Sequence, residues 1–577
     1  MIRRVRRGPV LVLLIVIIAI LGVSRSSAHQ TSSLIFSTYL GGATPYASGY
    51  DPLTFAQNSA CDAQGNIYVT GATQVSDLPV LNAYQPSPAK NSTMSAFVAK
   101  YNPVGQPLWC TCLGGDNQSM GIGVAAMPNG GVAVMGITTS DAGGPFPTLH
   151  AYQAQNNGLT DYFVTVFDAN GNLQYSTYLG GSGVEGQSPP FSDNSNSGNG
   201  VAVDAAGLVY VAGMTTSGGG ARGAIKFPVT PNALQSNLAG TRNAYLCILD
   251  PSKSGAASLV YSSFLGGDHD NQGHSVAVDT SGSLITVAGF TTSSNFPTTA
   301  NAYRRSAPPG GFSSNCSNGF VTQIQSSQPG SPSSRYTMRY STYLGADSST
   351  ARDDTYGMTM DPTGLIVATG RTESAGFPMT AGGPTIFSSA PYLQEGVSGD
   401  EPYLVKINPS LNGTASLVYS TFLGGGSSTG TWGSFCTSVG VDSRGAVYVA
   451  GETNAQGAAY IHSNLTAPQT FPYTPNALFT ALQDTRDSIF MQISPGGATL
   501  GYSTYLGGQD NTSRTYGLAV DPARNIVLTG LTFATDFPLK NPAQTYPGNS
   551  NHQNAFVTKF AARGTQTAPL LLLLLAN

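Results

Sequence analysis

The sequence predicts an all-β protein, a seven-bladed β-propeller of four-stranded antiparallel blades. Three short strings carry this prediction, because each recurs seven times along the 577 residues and they follow one another in a fixed order. Chance does not produce such a pattern, so the unit is a true internal repeat.

The first string reads YSTYLGG in its commonest form. It is a short run of aromatic, β-branched and leucine residues that ends in glycine, which is typical of a strand. Its copies start 66 to 86 residues apart, at Phe36, Trp109, Tyr175, Tyr261, Tyr340, Tyr419 and Tyr502.

The second string predicts two strands joined by a tight turn with the pattern Asp-x-x-Gly. Asp suits the start of a type I turn, and Gly supplies the positive φ that follows. Two copies depart from the pattern, with Met127-Pro128 in one and Arg524-Asn525 in the other. The seven copies occupy residues 60–71, 124–136, 201–213, 276–289, 358–370, 439–451 and 518–530.

The third string predicts the remaining strand of each unit. It lies at residues 96–103, 162–171, 244–251, 319–324, 402–409, 488–495 and 555–560. We name the strands of the second string A and B, that of the third string C, and that of YSTYLGG D.

Both faces of the predicted strands are apolar, as Val209 and Val211 on one side and Tyr210 and Ala212 on the other illustrate. A sheet that is apolar on both faces must be covered on both, and seven such sheets cover one another in a propeller. The chain starts with a lone D strand and ends with A, B and C. The N-terminal strand should therefore pair with the C-terminal blade and close the ring without free edges.

The combined pattern, YSTYLGG…GxAVDxxGxxYVxGxT…FPxTxNAY…AFVxKxxP, resembles the bacterial seven-bladed β-propeller repeat family, SBBP. The resemblance covers residues 36–563. It implies an exported or cell-surface β-propeller protein.

The N-terminus has the three-part design of a secretory signal peptide. Four arginines within the first seven residues precede the apolar run Val10–Val23, and small residues lead up to Ala28. We expect residues 1–28 to direct export through the Sec route, with an uncleaved anchor as the alternative. The protein would then be secreted, periplasmic or held at the cell surface, with the propeller at 29–563 and a Leu-rich tail at 564–577.

Composition excludes some partners. Only 9% of the residues are charged, and no basic cluster follows the first seven residues. We therefore expect no nucleic-acid partner, and membrane contact only through the N-terminal segment if it stays uncleaved. The six cysteines could form disulfides outside the cytoplasm, but their spacing gives no framework.

Function is expected on the face of the ring that carries the B–C and D–A connections, because these are longer than the A–B and C–D turns. We call it the long-loop face. A unique site should consist of residues that differ between repeats, and those lie mainly in the D–A loops. The candidate binding residues are Asp193, Asp268, His269, Asp270, His274, Arg352, Asp353, Asp354, Tyr356, Trp432, Asp510, Arg514 and Tyr516.

The segment from Asp268 partly matches a calcium-binding loop. Asp268 and Asp270 stand at its first and third positions, and Asp279 stands at its twelfth. Asp279 is also the residue of an A–B turn, and no third ligand accompanies the two histidines of this segment. We therefore expect no cofactor, with Ca²⁺ as an open alternative at Asp268 and Asp270.

The leading functional prediction is a non-enzymatic surface or secreted interaction module that binds a glycan or a surface protein. No known catalytic signature occurs in the chain, whereas its Tyr-, Asn-, Ser- and Gly-rich loops suit adaptable recognition. The first alternative is a carbohydrate-active hydrolase or lyase, in which Asp193, Asp270, Asp354 and Asp510 converge from separate loops. The second is a structural component of the envelope.

Overall fold

The computed structural model describes most of the chain from Leu34 to Ala562. The described residues are 34–46, 52–89, 92–141, 144–186, 200–219, 224–309, 311–312, 316–374, 376–380, 400–424, 433–455, 457–459, 471–548 and 552–562. The predicted signal peptide, the Leu-rich tail, Asp193 and Trp432 lie outside them. In this part of the chain, no helix is both long and apolar enough to span a bilayer.

The predicted fold is confirmed, since the described residues form seven four-stranded antiparallel sheets. Blade 1 consists of β2 Thr54–Cys61, β3 Ile67–Thr73, β4 Ser95–Tyr101 and β5 Pro107–Leu113. Blade 2 consists of β6 Ser119–Ala126, β7 Val132–Thr138, β8 Asp161–Phe167 and β9 Leu173–Leu179. Blade 3 consists of β10 Val201–Val203, β11 Val209–Thr215, β12 Asn243–Leu249 and β13 Leu259–Leu265.

The remaining blades have the same A-B-C-D order. Blade 4 consists of β14 Asn271–Val278, β15 Leu284–Thr291, β16 Asn318–Ser326 and β17 Tyr336–Leu344. Blade 5 consists of β18 Asp353–Met360, β19 Ile366–Thr372, β20 Glu401–Ile407 and β21 Leu417–Phe422. Blade 6 consists of β22 Phe435–Val441, β23 Val447–Thr453, β26 Asp487–Ile493 and β27 Leu500–Leu506, with a short parallel pair, β24 Gly457–Ala459 and β25 Phe471–Tyr473, in its B–C connection. Blade 7 consists of β28 Ser513–Val520, β29 Ile526–Thr532, β30 Asn554–Phe560 and β1 Leu34–Leu40. Short 3-10 turns, Gly255–Ser258 and Gly413–Ser416, precede β13 and β21.

The N-terminal strand closes the ring, as predicted. Strand β1 pairs antiparallel with β30, and Tyr39 lies opposite Phe556. The main chain of Ser37 also exchanges two hydrogen bonds with that of Lys540, in the B–C connection of the same blade. The two ends of the described chain therefore share one sheet, which removes two free sheet edges.

The A strands form the innermost layer. Each contacts the A strands of the neighbouring blades all the way round, and β28 of blade 7 contacts β2 of blade 1. They enclose an axial channel of about 380 Å³, whose lining comes from all seven blades and contains no charged side chain.

The A–B turns have the predicted chemistry. In blade 3, the Asp204 carboxylate accepts hydrogen bonds from the N–H groups of Ala206 and Leu208. The turn glycines have positive φ in blades 1 to 6, for example 84° at Gly207. In blade 7, Arg524 takes the glycine position at a φ of 66°, a conformation that costs an L-residue free energy.

A β-bulge interrupts the A strand of every blade except blade 3, where the corresponding position lies outside the described residues. In blade 4, the pairing shifts between Gly273 and Ser275, so His274 is the extra residue. A bulge re-aims the side chain of its extra residue and is common next to functional sites. The extra residues are Gln57, Ile122, His274, Tyr356, Thr437 and Tyr516.

All six cysteines are described, and none takes part in a disulfide. Five are buried, and Cys61 is half-buried where it lines the axial channel. Burial raises the pKa of the Cys61 thiol to about 12, so this thiol is not poised to react.

Candidate functional site

The seven-fold pattern breaks at the long-loop ends of the A and B strands. In blades 1 and 2, the second residue of the A strand pairs with an apolar residue near the end of the B strand, Phe55 with Ala72 and Met120 with Ile137. In blade 5, the equivalent pair is Asp354 with Arg371. Blades 4, 6 and 7 also carry a polar or charged residue there, in the pairs Gln272–Phe290, Phe435–Glu452 and Arg514–Leu531.

These differences define one candidate site, which we call the mouth cluster because it lies at the long-loop end of the innermost strands. Its members are Asp270, His274, Arg352, Asp354, Tyr356, Arg371, Asp400, Phe435, Glu452, Arg486 and Arg514. All of them lie in blades 4 to 7 or in the loops that lead into these blades.

Asp354 is the best-bonded carboxylate of the mouth cluster. The Ser317 hydroxyl donates to its Oδ1 at 2.7 Å, and Arg371 donates through Nε and Nη2 to its Oδ2 at 3.1 and 3.0 Å. The Tyr356 hydroxyl donates to Oδ2 at 3.2 Å. Although burial opposes ionisation, the guanidinium groups of Arg371 and Arg352 hold the pKa of Asp354 below its usual range.

Arg352 is the most accessible cation of the mouth cluster. Its side chain is 42% exposed, compared with 12% for Arg371. Its Nη2 lies 3.6 Å from Asp354 Oδ2, beyond hydrogen-bond distance, and Asp354 already accepts four hydrogen bonds. Arg352 therefore keeps guanidinium donors for a ligand.

An aromatic row runs beside these charges. The His274 imidazole stacks on the Tyr356 ring with centroids 5.5 Å apart, and Tyr356 meets Phe435 edge-on at 6.1 Å. The Arg371 guanidinium lies 5.9 Å from the Tyr356 ring centroid, within cation–π range. Burial lowers the pKa of His274 and raises that of Tyr356, which favours the neutral form of both groups.

Two further ion-paired groups flank this row. Glu452 accepts a hydrogen bond from Arg486 Nη1 at 2.8 Å and lies 3.4 Å from Arg514 Nε. On the other side, Arg242 Nε lies 3.2 Å from Asp270 Oδ1. Burial raises the pKa of Asp270, and Arg242 opposes that shift.

Asp353, another predicted binding residue, is buried and does not point into the mouth cluster. Its carboxylate accepts hydrogen bonds from the Thr372 hydroxyl and the Ala346 N–H, and burial raises its pKa to about 7. The hydroxyl pairs Thr54–Thr73 and Ser119–Thr138 occupy the same place in blades 1 and 2. Asp353 therefore ties its A strand to its B strand.

The remaining predicted residues lie apart from the mouth cluster. Asp268 binds the Ser294 N–H and hydroxyl, and its Oδ1 lies 3.0 Å from Nδ1 of the exposed His269. Asp510 binds the N–H and hydroxyl of Thr535. Tyr516 is buried in the apolar core of blades 1 to 3.

The predicted calcium loop engages its carboxylates in other contacts. Asp268 bonds to loop groups, Asp270 pairs with Arg242, and Asp279 Oδ1 accepts the Leu284 N–H of its own turn. Across the described ranges, no group of three or more His, Cys, Asp or Glu side chains is arranged to hold a metal.

Five members of the mouth cluster are not among the predicted binding residues: Arg371, Asp400, Phe435, Glu452 and Arg486. A signal existed for two of them, in the residue that follows the B-strand glycine. This residue is Ala, Ile, Met, Phe or Leu in five blades, but Arg371 and Glu452 in blades 5 and 6. Charge at a position that is otherwise apolar marks a departure from the repeat.

One known protein family matches a copy of the repeat unit. Residues 501–538 match the SBBP family, described as a beta-propeller repeat. The SBBP resemblance is confirmed. The matched SBBP residues run from strand D of blade 6 through strands A and B of blade 7 into the B–C connection of that blade. No curated protein matches the chain.

Solved structures with a similar fold have little sequence in common with this chain. U3-55K aligns over 90% of this chain and 98% of its own length, at 7% identity and a TM-score of 0.39. A fungal alcohol oxidase of the AA5 family, in complex with copper, aligns over 88% and 75%, at 10% identity and 0.38. An ulvan lyase of polysaccharide lyase family PL25 aligns over 86% and 93%, at 8% identity and 0.37. At this level the likeness carries no argument about ligand or reaction.

Proposed function

We propose that this β-propeller is an exported interaction module that binds a glycan or a surface protein through its long-loop face. One observation supports the proposal above the others: the polar and charged residues that break the repeat gather at the long-loop ends of the strands of blades 4 to 7. Blades 1 and 2 have apolar residues at these positions, so the pairing of strands A and B does not itself require charge there.

The mouth cluster has the groups that a binding site needs. Arg352 offers unsatisfied donors to a carboxylate, sulfate or hydroxyl, and the half-buried rings of Tyr356 and Phe435 offer apolar surface. The ion pairs of Asp354 and Glu452 hold the neighbouring arginines in place before a ligand arrives, which lowers the entropic cost of binding.

The experiment measures retention of the protein on insoluble glycans and on whole cells, for the original chain and for Arg352→Gln. We expect Arg352→Gln to weaken retention at least about tenfold, the loss of one charge-assisted hydrogen bond. Arg335→Gln is the matched control, because Arg335 is an exposed arginine in the C–D turn of blade 4, on the opposite face. An equal loss of retention in both variants, or no loss in either, would contradict binding at the mouth cluster.

A second candidate function, a carbohydrate lyase or hydrolase, is supported by the stacked pair His274 and Tyr356 beside Arg352. A neutral imidazole can act as a base, a phenol can act as an acid, and a guanidinium can neutralise a substrate carboxylate. The same incubations therefore score release of soluble sugar. Release that stops in Tyr356→Phe would favour the enzyme, whereas retention without release would favour the binding module.

A further inference from the structure

The first glycine of each YSTYLGG string lies at a junction between two blades. A Cβ atom on Gly114 would stand 3.2 Å from the hydroxyl oxygens of both Ser95 and Ser119, which begin strand C of blade 1 and strand A of blade 2. The glycine therefore makes room for two polar side chains that meet between neighbouring blades. Gly266 does the same for Asn243 and Asn271 between blades 3 and 4.

The junction between blades 2 and 3 holds two acids in these places. A Cβ atom on Gly180 would stand 2.4 Å from Asp161 Oδ1 and 2.8 Å from Glu185 Oε2. Both side chains are fully buried. The hydroxyl pair at Gly114 and the amide pair at Gly266 can form hydrogen bonds as neutral groups. Two ionised carboxylates cannot, because neither has a proton to donate.

The outer oxygens of this pair are saturated. Asp161 Oδ2 accepts from Gln153 Nε2 at 2.6 Å and from the Asn157 N–H at 3.0 Å. Glu185 Oε1 accepts from the hydroxyls of Thr215 at 2.7 Å and Ser217 at 2.5 Å. The inner oxygens, Asp161 Oδ1 and Glu185 Oε2, are buried, and no described group lies in hydrogen-bonding geometry to either; the Gly181 N–H faces the Glu185 carboxylate and opposes the rise in its pKa.

No cation in the part of the chain that the structure describes compensates the pair. Among the described residues, no lysine, arginine or histidine forms an ion pair with either acid, and the intervening sequence 187–199 contains none of these residue types. Arg242, whose charge acts on Tyr162 beside the pair, forms its ion pair with Asp270. The other titratable groups that face the pair are neutral phenols or another acid: Tyr162, Tyr178, Tyr245 and, through Tyr178, Asp141.

We propose that Asp161 and Glu185 share one proton, which lies between their inner oxygens and joins blade 2 to blade 3, so that the junction loosens when alkaline pH removes it. A shared proton satisfies both inner oxygens at once and leaves a single negative charge on the pair. The outer oxygens already have donors for that charge, since two hydroxyls, one amide and one main-chain N–H point at them.

The direction of the pH dependence follows from the electrostatics. Burial raises the pKa of both acids, that of Asp161 to about 8. A carboxyl with a higher pKa in the folded state contributes stability that is fully present below about pH 4, the unfolded value, and is lost as the pH rises through the folded pKa. The junction is therefore weakened across the neutral and mildly alkaline range.

The experiment measures the slope of unfolding free energy against pH between about pH 5 and pH 7, which reports the protons released on unfolding. In Glu185→Gln, an amide N–H replaces the shared proton as the donor to Asp161. We expect this variant to release about one proton fewer than the original chain. Asp161→Asn should also release about one proton fewer than the original chain. The double variant should release as many protons as either single variant, because both changes remove the same proton.

The control is Asp487→Asn, because Asp487 is a buried carboxyl at the junction of blades 6 and 7 with a pKa raised to about 7. Its effect should add to that of Glu185→Gln. Independent effects of Glu185→Gln and Asp161→Asn, or an unchanged slope in both, would overturn the shared proton. Stabilisation of the original chain by Ca²⁺ at about pH 9, absent from Glu185→Gln, would replace the proton by a cation and would also overturn it.

Discussion

The hydroxyl of Tyr39 accepts a hydrogen bond from the N–H of Phe537 at 3.1 Å, across 498 residues of chain. The same hydroxyl donates to the Ala534 carbonyl at 2.7 Å. Tyr178 binds the Phe146 N–H of its own blade in the same way. The second tyrosine of YSTYLGG therefore anchors a Phe-Pro pair of the B–C connection, Phe146-Pro147 in blade 2 and Phe537-Pro538 in blade 7. In blade 7 this contact also holds the closing strand β1 in place.

We expect Tyr39→Phe to lower the free energy of unfolding by about 1–3 kcal/mol, because it leaves a buried N–H and a buried carbonyl without their partner. Tyr419→Phe is the control, since the Tyr419 hydroxyl is buried and has no hydrogen-bond partner among the described residues. That change should be neutral or slightly stabilising. Denaturant melts of both variants test the prediction, and equal losses would contradict it.

In the six blades whose A-strand bulge is described, the bulge requires the glycine near the end of the B strand. A Cβ atom on Gly289 would stand 1.8 Å from the main-chain oxygen of Gln272, and backbone cannot move aside as a flexible side chain can. We expect Gly289→Ala to cost about 3 kcal/mol or more, as overpacking against backbone does. Gly496→Ala should be close to neutral, because a Cβ atom there meets nothing within 4 Å. Thermal melts of the two variants would contradict this account if both lost the same stability.

The fold could be predicted because it depends on features that repeat. Asp204 and Gly207 form the same A–B turn as their counterparts in other blades, so each local signal is read several times. The order of the strings then fixes the topology, including the pairing of β1 with β30.

The site was harder to predict because it depends on departures from the repeat. Arg352 and Asp354 stood out in a variable loop, but Arg371, which pairs with Asp354, lies in a strand that sequence patterns assign to the core. Asp353 also stood out, although its carboxylate accepts a hydrogen bond that joins strands A and B. In blades 1 and 2 a pair of hydroxyls joins the same two strands. The sequence shows which residues differ between repeats, but only the structure shows whether the side chain of such a residue faces solvent or a neighbouring strand.

Arg524 occupies the position of the turn glycine in blade 7, so replacing it with glycine measures the free-energy cost of a positive φ at an L-residue. Its φ of 66° costs an L-residue about 1–2 kcal/mol, whereas its guanidinium lies 4.0 Å from Asp442 and contributes little at that distance. Asp442 keeps donors from Arg444, Ala446 and Tyr448. We expect Arg524→Gly to raise the free energy of unfolding by up to about 1 kcal/mol after the entropic cost of glycine. A loss of stability in denaturant melts would show that the ion pair outweighs the strain.

The ion pair of Arg371 and Asp354 makes a prediction about acid pH. Arg371→Met leaves Asp354 buried with its main compensating charge removed, which costs about 3–5 kcal/mol at neutral pH. In the original chain the pKa of Asp354 is below its usual range, so its contribution is present above about pH 4 and is lost only as the pH falls through that lower value.

In Arg371→Met the pKa of Asp354 should rise, because burial is then opposed mainly by the more distant Arg352. Protonation at mildly acid pH removes the uncompensated charge, so the difference in unfolding free energy between variant and original chain should shrink as the pH falls from about 7 to 4. The double variant Arg371→Met/Asp354→Asn lacks the more deeply buried of the two carboxylates that Arg371 pairs with, whereas Asp400 remains, so it should recover part of the loss at neutral pH. Denaturant melts at about pH 7 and pH 4 measure this difference. A difference in unfolding free energy that stays constant with pH would show that Arg371 stabilises the fold by packing on Tyr356 rather than by its charge.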